Sequence, residues 1–460
     1  MIYSALDSVA QRGQHAGVRF GYGRGLSALF YGSLIIGVCL RLFLAFYLPL
    51  DDNEPKHGVY GFNDEPSHLA YVRYLLERRE FPVQEHDLQN PRAFSFDDFE
   101  YYQPPLAYVC MVPFYWVGSV VWGNPKAGTR LLSVLGSLFL IYLTFRVGCL
   151  FHPNIGCWAA AGTALFPSQV YFSILTSNDC LSWCLTFLFV YLLMKGPEEW
   201  PLKTWCFVVI VLTLGFYTKT SMATVVPLLF LSVLFQKDLR GKIRATGRGL
   251  SVLLIVFALT LPWHLRNLQL YGSLFALSAG SGPPVSWASF SSDHRRFIFA
   301  WCIGTFVWPL NLRLFTSGDY LNLGAFIVGG SVLALGVSVR RALTAFARRE
   351  LLVLIAHVVL TVTSYCIFFV RYAQGESRLF YGCLPSIMIV GSMLFGKSVA
   401  AAQGGKRHRR GGWSRRLALS FPKTRSVRRN TSIIATGLSP PAVTRRGDEG
   451  GVLQMPFEGS

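Results

Sequence analysis

No CxxC pair occurs in this chain, although it carries ten cysteines. Most of them sit inside apolar runs (Cys39, Cys149, Cys157, Cys184, Cys206 and Cys366), so neither a disulfide framework nor a zinc site is expected. Thiols in such runs behave as small hydrophobes. Charge is also scarce: 15% of the residues are charged, where a soluble domain carries about a quarter. Acidic residues are the scarcer sign, 24 against 43 lysines and arginines, for a net charge of +19. A basic excess of this size suggests nucleic acid, but its distribution argues otherwise, because it collects in short loops and in the C-terminal tail. No internal repeat stands out.

What the chain has instead is apolar length. It is 52% hydrophobic and 15% aromatic, with a mean hydropathy of +0.40. Repeated apolar segments of roughly 15–25 residues indicate an all-α polytopic membrane protein. The first is too long for the h-region of a signal peptide and lacks a small-residue cleavage site, so it reads as a span. Ten stretches qualify: 26–49, 130–149, 155–173, 179–194, 203–218, 221–235, 249–264, 320–339, 350–370 and 379–396. Two more, 104–122 and 297–316, would raise the number to twelve. The chain divides into a cytoplasmic N-terminus (1–25), a membrane module (26–396) and a basic tail (397–460). The tail, rich in Arg, Gly, Ser and Pro, reads as disordered and suited to anionic lipid heads.

Loop charge bears on the parity. With 104–122 and 297–316 taken as helices within or along the membrane, every strongly basic short loop falls on the side of the N-terminus. These loops carry Arg146, Lys195 and Lys203, then the run Lys237, Arg240, Lys242, Arg244 and Arg248, then Arg340, Arg341, Arg348 and Arg349. If both stretches crossed, the 236–248 cluster would face outward, against the positive-inside rule. The long outer loops are then 50–129 and 265–319. About half of all the acidic residues fall between 50 and 103. From Leu69, the apolar positions Leu69, Val72, Leu75 and Leu76 recur at helical spacing, an amphipathic helix suited to lie along the membrane plane.

Four polar features share the outer side: Asp64 and Glu65 with His68; Ser177-Asn178-Asp179; Lys219 in a tight turn; and Gln374-Gly375-Glu376-Ser377-Arg378. Together they offer carboxylates that take a proton and cations that hold a phosphate. Transfer from a phosphate-activated donor needs both. Each also has a plainer reading. Asp64 and Asp179 both fit helix caps; His68 fits an interfacial histidine satisfied by water; Lys219 fits a snorkelling side chain; Arg378 fits a partner of Glu376 or of lipid phosphate. Convergence on one face favours function, since ionisable groups at membrane depth are costly without a role.

In order along the chain these stretches resemble the GT-C superfamily of integral-membrane glycosyltransferases. The similarity is greatest to the dolichyl-phosphate-mannose protein mannosyltransferases and the bacterial aminoarabinose transferases. Asp64-Glu65-Pro66-Ser67-His68 is similar to the family's Asp-Glu-x-x-His, and Tyr102-Gln103-Pro104-Pro105-Leu106 to its His-x-Pro-Pro-Leu, with Tyr102 in the histidine's place. Arg130-Leu131-Leu132-Ser133, Phe166-Pro167, Ser177-Asn178-Asp179 and Lys219 follow in order. Gln374 to Phe380 resembles a late Gln-Gly-Arg-Tyr-Leu-Phe-Pro motif, with Arg378 displaced by two positions.

The resemblance implies a donor sugar on a polyprenyl or dolichyl phosphate, delivered at the outer or lumenal leaflet of a bacterial inner membrane or the endoplasmic reticulum. It implies Asp64, with Glu65 beside it, as catalytic carboxylate. Lys219 and Arg378 would serve as phosphate ligands, with Arg130 and Arg266 as further candidates. Asn178 and Asp179 would contact sugar or acceptor, and His68, Tyr102, Gln103 and Glu376 would line the substrate site. No cofactor is implied with certainty; a divalent cation bridged by Asp64 and Asp179 stays open as an alternative. No outer soluble domain follows the spans, so an acceptor-recognising module is expected to be either absent or supplied by the loops. The competing readings are a transporter or flippase of a lipid-linked or anionic substrate, and a non-catalytic partner of the same fold. A transporter would place its ionisable groups mid-span, at broken helices within repeats.

Overall fold

The computed structural model describes residues 24–48, 65–84, 100–195, 200–236, 238–276, 348–372 and 380–393. The chain separates into two units at residue 403, and all the described residues belong to the first. The N-terminal segment before 24, the tail, and the expected stretches 297–316 and 320–339 lie outside the described residues, as do Asp64, Glu376 and Arg378.

Every regular element among the described residues is helical. In chain order these are α1 (Arg24–Tyr47), α2 (Glu65–Arg78), α3 (Leu106–Trp122), α4 (Pro125–Phe151), α5 (Pro153–Leu165), α6 (Pro167–Phe172), α7 (Asp179–Met194) and α8 (Leu202–Thr218). A 3₁₀ segment (Thr220–Phe230), α9 (Leu231–Leu234), α10 (Leu239–Tyr271), α11 (Arg348–Tyr372) and α12 (Leu384–Met393) complete them. Segments within α1, α4, α10 and α11 are long and apolar enough to cross a membrane, and α3, α7, α8 and α12 are shorter apolar helices. The protein is a multi-pass membrane protein. Backbone groups in hydrocarbon must be satisfied within their own segment, which is why helices dominate.

The helix ends are legible as local chemistry. Proline stands at the first position of α4, α5 and α6, where its missing N–H costs nothing. Asn124 caps α4 by accepting from the Ala127 amide at 3.0 Å, and Asp238 caps α10 by accepting from Gly241 at 3.1 Å. Gly123 and Gly272 close α3 and α10 at φ of +60° and +66°, a conformation that favours glycine.

Three expectations need correction. The expected span 155–173 is broken at Phe166, whose extended backbone precedes Pro167 and divides α5 from α6. The expected span 221–235 opens as a 3₁₀ segment with Pro227 inside it. The helix read as lying along the membrane turns a different face inward. Its buried residues are Glu65, Ser67, His68, Ala70, Tyr71 and Val72, and it packs on α3 with the Tyr71 and Tyr108 rings stacked 3.9 Å apart. Leu69, Leu75 and Leu76 are only half-buried.

The core joins α4, α5, α7, α8, α11 and the 3₁₀ segment. Large apolar side chains such as Ile35 and Phe43 on α1, Leu254 on α10 and Val359 on α11 point outward, as lipid-facing residues do. Between hydrocarbon-bathed helices, close approach and van der Waals contact take the place of the hydrophobic effect, so small residues gather at the crossings. A Cβ on Gly128 of α4 would stand 2.1 Å from the Phe114 carbonyl oxygen of α3, and one on Gly118 would meet the Gly128 Cα at 2.8 Å. Gly128→Val therefore forces the two backbones apart. We expect a loss of at least about 1–3 kcal/mol, read as a lowered thermal midpoint in detergent. A midpoint equal to wild type would show that α3 shifts freely.

Candidate functional site

A buried polar layer runs across one end of the bundle, beginning at the head of α2. Glu65 is 0% exposed, and both of its carboxylate oxygens are engaged by Arg130 of α4, Nε to Oε1 and Nη2 to Oε2, each at 2.8 Å. The same Oε1 accepts the backbone N–H of Thr176 at 2.8 Å. The Nη1 of Arg130 donates to the Ala45 and Leu48 carbonyls at the end of α1, both at 3.1 Å. A bidentate guanidinium–carboxylate pair of this kind fixes both groups in orientation. Four segments thus meet at one buried ion pair.

The segment between α6 and α7, expected as a short outer loop, is buried throughout residues 173–178. Its backbone groups need partners, and side chains supply them. Ser133 donates to the Leu175 carbonyl at 2.7 Å, and Thr129 and Thr176 share a hydroxyl hydrogen bond of 2.8 Å. From the α1 side, Arg41 is also completely buried. Its Nε donates to Ser137 at 2.6 Å and Ser173 at 3.0 Å, and its Nη1 to the Gly37 and Ala164 carbonyls at 3.0 and 2.7 Å. Arg41, at Ser173, and Glu65, at Thr176, therefore anchor this segment, and Arg130 in turn holds Glu65.

The anchored segment leads into Asn178 and Asp179 at the start of α7. The Asn178 amide donates to Gln103 Oε1 at 3.0 Å and to the Thr218 carbonyl at 3.2 Å. Gln103 in turn donates to the Tyr102 hydroxyl at 2.9 Å. Next to Thr218, the ammonium of Lys219 is ion-paired with Asp179. Lys219 keeps 13% of its side chain exposed against 3% for Asp179, so the cation is the member of the pair nearer to solvent.

The C-terminal end of α10 closes the layer. The Tyr71 hydroxyl donates to the Gln103 carbonyl at 3.3 Å, and burial pushes its phenol pKa up, with the nearby Arg266 charge acting against that. Arg266 donates to the Pro82 carbonyl at 2.6 Å and lies over the Trp263 ring at 4.7 Å. Its buried Nη1 has no hydrogen-bond partner among the described residues, and the same holds for Asn178 Oδ1. His68 is buried, with Nδ1 2.7 Å from the Tyr108 hydroxyl, so a protein group rather than water meets that nitrogen. Among the described residues no group of three His, Cys, Asp or Glu stands where it could hold a metal ion. The ammonium of Lys219 occupies Asp179 as a cation would.

A family model described as dolichyl-phosphate-mannose-protein mannosyltransferase matches residues 104–265, which hold α3 to most of α10. Among solved structures, the chain resembles ArnT from Cupriavidus metallidurans bound to undecaprenyl phosphate, with a TM-score of 0.51 at 15% identity. That match covers 83% of this chain and 64% of ArnT. The chain has the GT-C fold. The apo state of the same ArnT gives a TM-score of 0.50 at 14% identity, over 79% of this chain and 59% of that one. The oligosaccharyltransferase of Archaeoglobus fulgidus follows at 0.48 and 12% identity, over 84% and 51%. This GT-C-fold chain spans less than two thirds of the length of these structures. No curated protein matches its sequence significantly.

Of the residues singled out in the sequence, this GT-C-fold chain gathers Glu65, His68, Tyr102, Gln103, Arg130, Asn178, Asp179, Lys219 and Arg266 into one layer at one end of the bundle. Asp64 immediately precedes Glu65 but lies outside the described residues, with Glu376 and Arg378. Sequence reading missed Arg41, Tyr71, Tyr108, Thr176 and Thr218. Arg41 carried a signal, being a lone arginine deep in an apolar run. Tyr71 and Tyr108 carried none, because aromatic residues are abundant throughout the chain.

Proposed function

We propose that this protein is an inverting glycosyltransferase that moves a sugar from a polyprenyl- or dolichyl-phosphate carrier to an acceptor hydroxyl or amine at the outer or lumenal face of its membrane. The observation that carries this reading is the Asp179–Lys219 pair, set at the end of three helices with its cation nearer to solvent and held by a buried polar frame. The GT-C fold supports it, as does a resembling structure that binds undecaprenyl phosphate.

In this reading Asp64 takes the proton from the acceptor, whose freed electron pair attacks the anomeric carbon on the face opposite the phosphate. The glycosidic C–O bond breaks as the new one forms, and the lipid phosphate leaves with the bonding electrons. Lys219, Arg266 and Arg378 meet the charge that develops on it. Arg266 suits this work because its Nη1 has no partner among the described residues. Asp179 holds the ammonium of Lys219 in place, and Asn178, Gln103, Tyr102, His68 and Glu376 orient the sugar. Glu65 and Arg130 are assigned the frame instead of the chemistry, since each is consumed by the other and by backbone groups.

The test is transfer of radiolabelled sugar from a panel of polyprenyl-phosphate sugars, comparing wild-type membranes with Asp64→Asn. Loss of a general base should slow turnover by about 10²–10⁴-fold with insertion and folding intact. A folded Asp64→Asn protein with wild-type turnover would remove Asp64 from the mechanism.

A further inference from the structure

The end of the bundle opposite the polar layer has a chemistry of its own. There α7 ends, α8 and α10 begin, and α11 begins. Helix α10 has 33 residues and so is about 50 Å long, well beyond the ~30 Å hydrocarbon core of a bilayer. Its first turns carry Arg240, Lys242, Arg244 and Arg248, all exposed. They also carry Leu239 and Ile243, 73% and 65% exposed, in line with the outward-facing Leu250 and Leu254 further along. The lipid-facing stripe therefore continues into the basic turns. A helix with apolar residues on one line and cations beside them sits at the level of lipid headgroups.

Beside these turns the cations fold onto rings. The guanidinium of Arg248 lies 5.9 Å from the centre of the Trp205 ring, that of Arg349 lies 5.5 Å from Phe235, and the ammonium of Lys195 lies 4.5 Å from Tyr191. Trp205 packs edge-on against Trp200 with ring centres 4.7 Å apart. Trp200 is 8% exposed, and neither its indole N–H nor that of Trp205 has an acceptor among the described residues. Two buried donors, on a pair of packed rings of which one faces a cation, lack an acceptor among the described residues, and a phosphate oxygen is one. Acidic groups at this end are fewer: Asp238 is occupied as the α10 cap, Glu350 lies in the first turn of α11, and Glu198 and Glu199 precede Trp200 outside the described residues.

We propose that this collar is a binding site for an anionic phospholipid, independent of the transfer reaction. The Trp200 and Trp205 indoles and Arg248 hold the headgroup phosphate. Arg240, Lys242 and Arg244 provide attraction from the flank, and Leu239 and Ile243 enter the acyl boundary.

The test uses the full chain, purified in detergent, with native mass spectrometry of retained lipid after incubation with equal phosphatidylglycerol and phosphatidylcholine. Wild type should retain phosphatidylglycerol preferentially, and R244Q/R248Q should weaken that preference by roughly fivefold for each cation removed. W200F/W205F keeps an aromatic ring at each position but removes both N–H donors, and should lower retention without unfolding the protein. If that variant does not fold, the exposed pair R240Q/K242Q carries the same test. Equal retention of the two lipids by wild type, or an unchanged preference in the folded variants, overturns the proposal. Displacement of the lipid by glycerol phosphate as readily as by lipid also overturns it, in favour of a site for soluble phosphates.

Discussion

Replacing Arg130 with methionine will cost this protein about 3–5 kcal/mol of stability, the loss expected when one partner of a buried ion pair is removed. Glu65 is then left with a charge and, among the described residues, only the Thr176 amide to meet it, in a buried place. The Ala45 and Leu48 carbonyls at the end of α1 lose their donors in the same step. Against a total stability of roughly 5–15 kcal/mol, such a loss is a large fraction. Thermal unfolding in detergent of wild type, Arg130→Met, Glu65→Gln and the double variant Glu65→Gln/Arg130→Met reads the coupling directly. The double variant should be more stable than Arg130→Met, because it contains no unpaired buried carboxylate. An Arg130→Met protein that melts with wild type would show that α1, α2 and α4 are held by apolar packing alone.

The second large effect concerns turnover. On the proposed mechanism, Lys219→Met will lower transfer by about 10²–10³-fold, the cost of removing one preorganised group from a developing oxyanion. Lys219→Arg should recover part of it, since charge is kept while its position changes. The substitution also removes the ammonium paired with Asp179, which is 3% exposed, so some stability is lost as well. The two effects separate in Asp179→Asn/Lys219→Met: stability should return towards wild type while turnover stays low. Turnover recovered together with stability would make the pair a structural strut. Turnover unchanged in folded Lys219→Met would remove Lys219 from the phosphate site.

The residue types in the polar layer were visible beforehand, but their division of labour was not. Asp64-Glu65 reads as two adjacent candidates for one task, yet Glu65 is engaged on both oxygens by a residue 65 positions along the chain. Arg130 reads as a further candidate for the lipid phosphate, and in the fold it is bonded to Glu65 and to two carbonyls of α1 and its end. Lys219 reads either as a phosphate ligand or as a snorkelling side chain, and neither reading shows Asp179 beside it, 40 positions away. Local pattern carries no information about such distances. Only the crossing of α4, α7 and α8 brings these groups together.

By itself the sequence determined the class of this protein: apolar run lengths demand helices in a membrane, and prolines, Asn124, Asp238, Gly123 and Gly272 mark where several of those helices start and stop. These are properties of single residues and their immediate neighbours, so they are written in order along the chain. Tertiary structure alone decided that α2 buries Glu65, His68 and Tyr71 instead of its leucine stripe. It also decided that residues 173–178 run through the interior and that Arg41 and the Arg130-bound Glu65 hold them there. A buried polar group must find its partner wherever the fold supplies one, and that partner is set by helix crossings rather than by spacing.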